Sequence, residues 1–137
     1  MRRSMLFIPG NSPSLLMNAD VLGADSIIFD LEDAVSPAEK DSARILVRNL
    51  LKRFDYDSCE VIVRINSVDT EFWTKDLDEI IPFHPDMIMP PKTNSEDDVR
   101  LVSQYIGTLE EKYGMKKNSV KLIPLIETAM GVENAYR

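Results

Sequence analysis

Short apolar runs alternate along the chain with longer amphipathic stretches. The runs begin, in order, at Met5, Ser26, Glu60, Met87 and Leu122. They are rich in Ile, Val, Leu, Met and Phe and too short for helices, so each predicts a strand buried on both faces. The stretches between them repeat apolar residues every three or four positions, which predicts helices that pack against the sheet.

The expected strands cover 5–8, 26–30, 60–66, 87–92 and 122–127. Proline and capping residues mark where the helices between them are expected to begin. Ser12 stands before Pro13, and Ser36 to Glu39 has the form of a capping box. A short helix is expected near Phe72, and a long one is expected to begin at Ser95.

This alternation predicts an α/β protein with a parallel sheet and right-handed crossovers. The strand starts recur every ~20 to 35 residues, which is the size of one βα unit in a (β/α)8 TIM barrel of ~250 residues. The 137 residues then form a single domain, 1–137, holding about the first five units of an incomplete barrel. A complete, doubly wound open sheet of five strands is the structural alternative.

Composition excludes several classes of protein. The net charge of −7 argues against a nucleic-acid surface, which needs clustered Lys and Arg. No apolar run approaches the ~20 residues of a membrane span. Cys59 is the only cysteine, so the chain cannot form an internal disulfide, which is typical of the cytoplasm. One histidine and no glycine-rich phosphate loop argue against a His-based triad, a zinc site and a nucleotide site.

Charged residues stand where the expected strands end. They are Asp30, Glu32, Asp33, Arg64, Lys92 and Glu127. In a parallel barrel these positions face one mouth. Cations beside carboxylates there predict an anionic substrate held next to a divalent ion such as Mg²⁺, which prefers oxygen ligands. An arginine suits a planar carboxylate because its guanidinium donates two parallel hydrogen bonds.

Each of these residues also has a plainer interpretation. Glu32 and Asp33 stand where a carboxylate would favour the positive end of the following helix. Lys92 is equally consistent with a surface charge, and a lone Glu127 with a solvated residue. Arg64 is harder to explain in this way, because a charge within an apolar run must be paired if it is buried.

Five segments closely resemble the citrate lyase beta-subunit family, part of the wider HpcH/HpaI aldolase and malyl-CoA lyase-like group. They are 3–11, 29–35, 63–66, 91–92 and 126–131. The resemblance implies a (β/α)8 barrel, usually in homotrimers, of which this chain is the N-terminal part. It also implies a Mg²⁺-dependent carbon–carbon lyase that cleaves a citryl thioester, carried on acyl carrier protein, to oxaloacetate and an acetyl thioester.

The resemblance also assigns roles to single residues. It implies that Arg64 is catalytic and grips the carboxylate on the oxaloacetate side of the substrate. Glu127 is implied as a metal ligand that also contacts the substrate, and Lys92 as a substrate-binding residue. Glu32 and Asp33 are implied as a catalytic acidic pair near the metal. The second metal ligand of the family, an Asp, is expected beyond Arg137, so the chain is expected to be a truncated portion that is inactive alone.

Two other functions remain open alongside this one. The first is a stand-alone lyase acting on malyl-CoA or citramalyl-CoA, in which coenzyme A replaces the carrier protein. The second is a non-catalytic module that binds a partner subunit. The leading hypothesis adds the acyl carrier protein and transferase subunits of a citrate lyase complex as partners, and it includes neither nucleic acid nor a membrane.

Overall fold

The computed structural model describes residues 2–53, 56 and 59–136 of the chain. Its strands are β1 (Met5–Pro9), β2 (Ser26–Asp30), β3 (Glu60–Arg64), β4 (Met87–Met89) and β5 (Lys121–Leu122). Its α-helices are α1 (Pro13–Met17), α2 (Lys40–Arg53), α3 (Trp73–Ile80), α4 (Glu96–Lys112) and α5 (Ala129–Asn134). Short 3-10 turns at Ala19–Leu22, Pro37–Glu39 and Ile81–Phe83 adjoin these helices. No helix in these described ranges combines the length and the apolar character that a membrane crossing requires.

The strands form one sheet in the order β1-β2-β3-β4-β5, and every neighbouring pair is parallel. A doubly wound sheet reverses its strand order at a switch point, and this sheet has no reversal. The doubly wound alternative is therefore wrong. A consecutive parallel order is the order of a barrel wall, in which each strand is followed by its helix.

The two faces of the sheet have different neighbours. Residues such as Phe29, Val63 and Ile88 point to the outer face and share one buried cluster with the helices. The intervening residues Ile28 and Ile62 point to the inner face, where they form a second cluster with Met89. The partly buried side chains of Met87, Ile123 and Leu125 pack against this cluster. Because successive side chains alternate between faces, β2 is buried on both faces and is apolar from Ile27 to Phe29.

The fifth strand is much shorter than the expected 122–127, and β4 ends at Met89 rather than at 92. Prolines at 90, 91 and 124 cause both differences, because proline has no N–H to donate to a ladder. The chain nevertheless continues alongside β4. The N–H of Ile123 donates to the carbonyl of Ile88 at 3.0 Å, and that of Leu125 donates to the carbonyl of Pro90 at 2.9 Å. The edge of the sheet at the carboxyl ends of the strands, called the rim below, therefore keeps its parallel order beyond the assigned strands.

Two of the expected helix starts differ in outcome. At Ser95 the carboxylate of Asp98 accepts the N–H of Ser95 at 3.1 Å, and the long helix α4 follows as expected. The capping box expected at Ser36 is wrong. The hydroxyl of Ser36 instead donates to the carboxylate of Glu39 at 3.0 Å, and the 3-10 turn Pro37–Glu39 precedes α2.

A buried ion pair joins α2, α3 and the segment after β3. Arg44 Nε donates to Asp76 Oδ1 at 2.9 Å, and both side chains are almost fully buried. The other oxygen, Oδ2, accepts the main-chain and side-chain N–H groups of Asn66 at 2.8 and 2.7 Å. Burial raises the pKa of Asp76, while these hydrogen bonds and Arg44 favour its charged form. Asp76 thus holds the chain just beyond Arg64.

We expect Arg44→Met to lower the free energy of unfolding by about 3–5 kcal/mol, because the substitution leaves Asp76 buried and unpaired. Arg48→Met is the matched control, one turn further along α2. The Arg48 ion pair with Glu79 is 2.7 Å long but half-exposed, so its loss is expected to cost less than about 1 kcal/mol. Urea-induced unfolding measures both, and equal costs for the two variants would contradict the structural role of the buried pair.

Candidate active site at the carboxyl ends of the strands

Asp30, the last residue of β2, is the centre of the rim. It is 1% exposed and accepts four hydrogen bonds on its two carboxylate oxygens. Two come from the main-chain N–H groups of Glu32 and Ala34, at 2.8 and 3.1 Å. The other two come from Arg64, at 2.8 Å from Nε and 2.6 Å from Nη2. Four hydrogen bonds to a buried carboxylate offset the free-energy cost of removing its charge from water. They also fix the positions of the groups that donate them.

Arg64 ends β3 directly opposite Asp30 in the parallel register. Its side chain is 11% exposed, and its guanidinium lies 4.9 Å from the ring centroid of Phe7. Hydrogen bonding to Asp30 raises the pKa of Arg64, so it remains a cation. Because Nε and Nη2 serve Asp30, Nη1 is the nitrogen left for another anion, and it lies 3.4 Å from Glu32 Oε2.

Glu32 is buried between the two cations of the rim. Its Oε1 accepts a hydrogen bond from the ammonium of Lys92. Its Oε2 is buried without a hydrogen-bond donor among the described residues, although Arg64 Nη1 is nearby. A buried carboxylate oxygen without a donor is uncommon in folded proteins. It marks a position where a bound water or ligand could donate a hydrogen bond.

Lys92 connects the buried part of the rim to its exposed part. Its φ of 50° lies in the left-handed region, which costs a non-glycine residue ~1–3 kcal/mol. This backbone turns the N–H of Lys92 towards Glu127 Oε1 at 3.0 Å, while its ammonium contacts Glu32 and lies 3.2 Å from Asp33 Oδ1. The hydrogen bond to Glu32 raises the pKa of Lys92, which favours its charged ammonium form.

Asp33 and Glu127 form the exposed edge of the site. The Asp33 side chain is 65% exposed, and its hydrogen bond from Lys92 lowers its pKa. Glu127 is also exposed and uses Oε1 for the N–H of Lys92. Among the described residues no three His, Cys, Asp or Glu side chains are grouped so that they could hold a metal ion. Mg²⁺ takes only one or two protein carboxylates together with water, so an exposed Glu127 suits it as one ligand of a larger set.

The five residues to which the resemblance assigns roles therefore lie in one connected group. Contacts run from Arg64 to Glu32, from Glu32 to Lys92, and from Lys92 to both Asp33 and Glu127. Their catalytic, substrate-binding and metal-binding roles stay predictions. The bidentate pairing of Asp30 with Arg64 was missed by sequence reasoning, although both residues end adjacent expected strands and that position was the available signal.

Comparisons with known proteins agree on one family. The profile described as HpcH/HpaI aldolase/citrate lyase matches residues 3–137. The citrate lyase subunit beta of Leuconostoc mesenteroides subsp. cremoris is 43% identical over 135 residues, covering 98% of this chain and 45% of that protein. A (3S)-malyl-CoA thioesterase of Cereibacter sphaeroides is 41% identical over 133 residues, covering 97% of this chain and 43% of that protein. The chain thus spans about half the length of the curated relatives it matches.

A solved structure gives the same result for the fold. The citrate lyase beta subunit of Mycobacterium tuberculosis, complexed with oxaloacetate and magnesium, superimposes with a TM-score of 0.68 and 29% sequence identity. The match covers 94% of this chain and 49% of that one. Together with the consecutive parallel strand order, this likeness confirms the predicted α/β-barrel class, with five of its βα units in this chain.

We expect Lys92→Met to raise the pKa of Asp33 towards the ordinary value of ~3.9, because its main hydrogen-bond donor is lost. A depressed carboxyl pKa adds stability above about pH 4 that disappears as the pH falls through the folded-state pKa. The stability difference between the variant and the unsubstituted chain should therefore shrink in acid. A ¹³C NMR titration of the Asp33 carboxyl measures the shift directly.

Lys75→Met is the control for this titration, because the ammonium of Lys75 on α3 forms an exposed ion pair with Glu71. It is expected to leave the pKa of Asp33 unchanged. An unchanged Asp33 titration in Lys92→Met would show that the contact between these two side chains does not form in solution.

Proposed function

Because the chain belongs to the HpcH/HpaI aldolase/citrate lyase family, we propose that it carries part of the active site of a magnesium-dependent carbon–carbon lyase. The substrate is a citryl thioester, and the products are oxaloacetate and an acetyl thioester. The observation that carries this proposal is the connected group of charges from Arg64 through Glu32 and Lys92 to Glu127, at the rim where barrel enzymes bind their substrates.

The proposed reaction has two charge requirements. The substrate hydroxyl loses its proton as the new ketone forms, and the electrons of the broken carbon–carbon bond move to the acetyl thioester, which becomes an enolate before it is protonated. Arg64 Nη1 is well suited to hold a carboxylate on the oxaloacetate side, because Asp30 fixes the rest of the guanidinium. Such preorganised cations lower the free energy of developing negative charge.

The acidic pair has a supporting role in this proposal. Glu32 Oε2 is a buried acceptor that has no donor in the described part of the chain, so it can orient a bound water at the mouth. Asp33 balances the charge of Lys92 on the exposed side. Lys92 then contributes a permanent positive charge near the substrate, and its ion pairs keep it from reacting as a free amine.

Magnesium is the proposed cofactor, and Glu127 would supply one ligand. An Asp from beyond Arg137 is proposed as the second protein ligand. When bound, Mg²⁺ polarises substrate oxygens and favours loss of the hydroxyl proton. Support comes from the solved M. tuberculosis relatives, whose structures contain magnesium with oxaloacetate, acetate or pyruvate.

A CoA thioester is the second candidate substrate. Relatives named as (3S)-malyl-CoA thioesterases are nearly as similar to this chain as the citrate lyase subunits, and one M. tuberculosis structure contains coenzyme A. In this alternative the chain belongs to a stand-alone lyase acting on malyl-CoA or citramalyl-CoA. Cleavage of free CoA thioesters without carrier protein would favour it.

The proposed setting is the cytoplasm, with residues 1–137 as a single domain that forms the N-terminal part of a barrel. The proposed partners are further copies of the same subunit in a trimer, an acyl carrier protein and the transferase subunits of a citrate lyase complex. A chain that binds the carrier protein but never contributes to cleavage would instead be a non-catalytic interaction module.

A chimera provides the test of activity. Residues 1–137 are joined to the part of the L. mesenteroides citrate lyase subunit beta that lies beyond the matched region, and oxaloacetate release is measured with citryl and malyl thioesters. We expect cleavage by the chimera and a loss of about 100-fold or more in Arg64→Lys, because lysine cannot rebuild the planar contacts. Arg100→Lys, on the exposed surface of α4, is the matched control and should retain full activity. An active Arg64→Lys chimera would contradict the assigned role.

A separate measurement addresses the metal. We expect Glu127→Gln to weaken Mg²⁺ binding to the chimera by about tenfold or more, because a neutral amide oxygen is a poorer ligand than a carboxylate. Isothermal titration calorimetry measures the affinity, and Glu133→Gln, at an exposed position of α5, is the control. Equal affinities for the chimera and its Glu127→Gln variant would exclude Glu127 as a ligand.

A further inference from the structure

Lys40 is a buried cation beneath the rim. It is the first residue of α2 and is 8% exposed. Its ammonium donates to the main-chain carbonyls of Leu31 and Glu32, at 2.8 and 2.6 Å. In the described part of the chain it forms no ion pair with a carboxylate, which is the usual partner of a buried lysine.

These two carbonyls belong to the loop that carries the acidic pair. The peptide unit between Leu31 and Glu32 is held at both ends, because Lys40 binds its carbonyl and Asp30 Oδ1 accepts its N–H at 2.8 Å. The carbonyl of Glu32 is held by the same ammonium. With both neighbouring peptide units fixed, the direction in which the Glu32 side chain leaves the backbone is fixed as well.

The charges around Lys40 suit this position. Burial lowers the pKa of Lys40, while Asp76, Glu32, Asp30 and Asp33 act in the opposite direction. All four carboxylates accept hydrogen bonds elsewhere, so none of them has to turn inward to neutralise the lysine. The ammonium of Lys40 therefore binds the backbone of the loop after β2. It does not compete with Arg64 or Lys92 for the carboxylates of that loop.

We infer that Lys40 is a positioning residue, whose ammonium fixes the peptide units around Glu32 so that the Glu32 carboxylate stays between Arg64 and Lys92. Only the contribution of Lys40 to catalysis rests on the proposed function. The ordering of the loop stands on the hydrogen bonds alone. The competing interpretation is that Lys40 contributes only to overall stability.

Native-state hydrogen exchange distinguishes the two interpretations. In Lys40→Met, which keeps an apolar stem of similar length, the amides of Glu32 and Ala34 are expected to exchange about tenfold faster or more, while amides of β3 change less than about twofold. Both loop amides donate to Asp30. Lys52→Met, at an exposed position of the same helix, is the matched control and should change neither group. Equal acceleration of loop and strand amides, or no acceleration, would overturn the inference.

A second measurement needs no substitution, so it holds even if Lys40→Met does not fold. NMR scalar couplings across hydrogen bonds are expected between Nζ of Lys40 and the carbonyl carbons of Leu31 and Glu32 in the unsubstituted chain. Their absence, with a freely rotating ammonium, would also overturn the inference. Failure of the proposed function would appear differently, as no thioester cleavage by the unsubstituted chimera, and would leave both NMR results standing.

Discussion

The bidentate pairing of Asp30 with Arg64 is the interaction on which the rim depends. It joins the ends of two neighbouring strands in a buried position, and the same carboxylate also accepts two main-chain N–H groups of the following loop. Removing two charges from water is costly, and only a fully hydrogen-bonded arrangement offsets that cost. The pair therefore fixes one orientation of the guanidinium and one path of the loop, and the positions of Glu32 and Asp33 follow from that path.

From this pair the site becomes progressively more exposed. Asp30 is fully buried, and Glu32 retains one buried oxygen to which none of the described residues donates. Lys92 lies between them and the exposed carboxylates. Such a gradient keeps the inner charges preorganised while the outer ones remain accessible to an anion or a hydrated metal ion. The left-handed backbone of Lys92 is the cost of this arrangement, because one residue has to serve Glu127 with its N–H and Glu32 with its ammonium.

Hydrophobic periodicity was sufficient to predict the order of strands and helices, because a strand buried on both faces has a distinctive composition. It did not predict where β4 and β5 end at the rim. There Pro90, Pro91 and Pro124 interrupt the ladder, and only isolated hydrogen bonds continue it. The position of Arg64 followed from its interruption of an apolar run, but its partner depended on strand register. The roles of Lys40 and of the Lys92 backbone depend on tertiary contacts, and a lysine at the first position of a helix carries no signal that distinguishes it from a solvated one.

Lys40 and Arg44 lie one turn apart on α2, and they support the two loops on either side of the central pair. Arg44 acts through Asp76, whose second oxygen holds Asn66 beyond β3. Lys40 acts directly on the carbonyls of the loop beyond β2. The choice of partner differs for a physical reason. Asp76 lies outside the charged mouth, so its ion pair with Arg44 takes no carboxylate away from Arg64 or Lys92. Asp76 already accepts hydrogen bonds from Arg44 and Asn66, so any other carboxylate partner for Lys40 would have to come from Asp30, Glu32 or Asp33. The carbonyl contacts leave these three for Arg64 and Lys92.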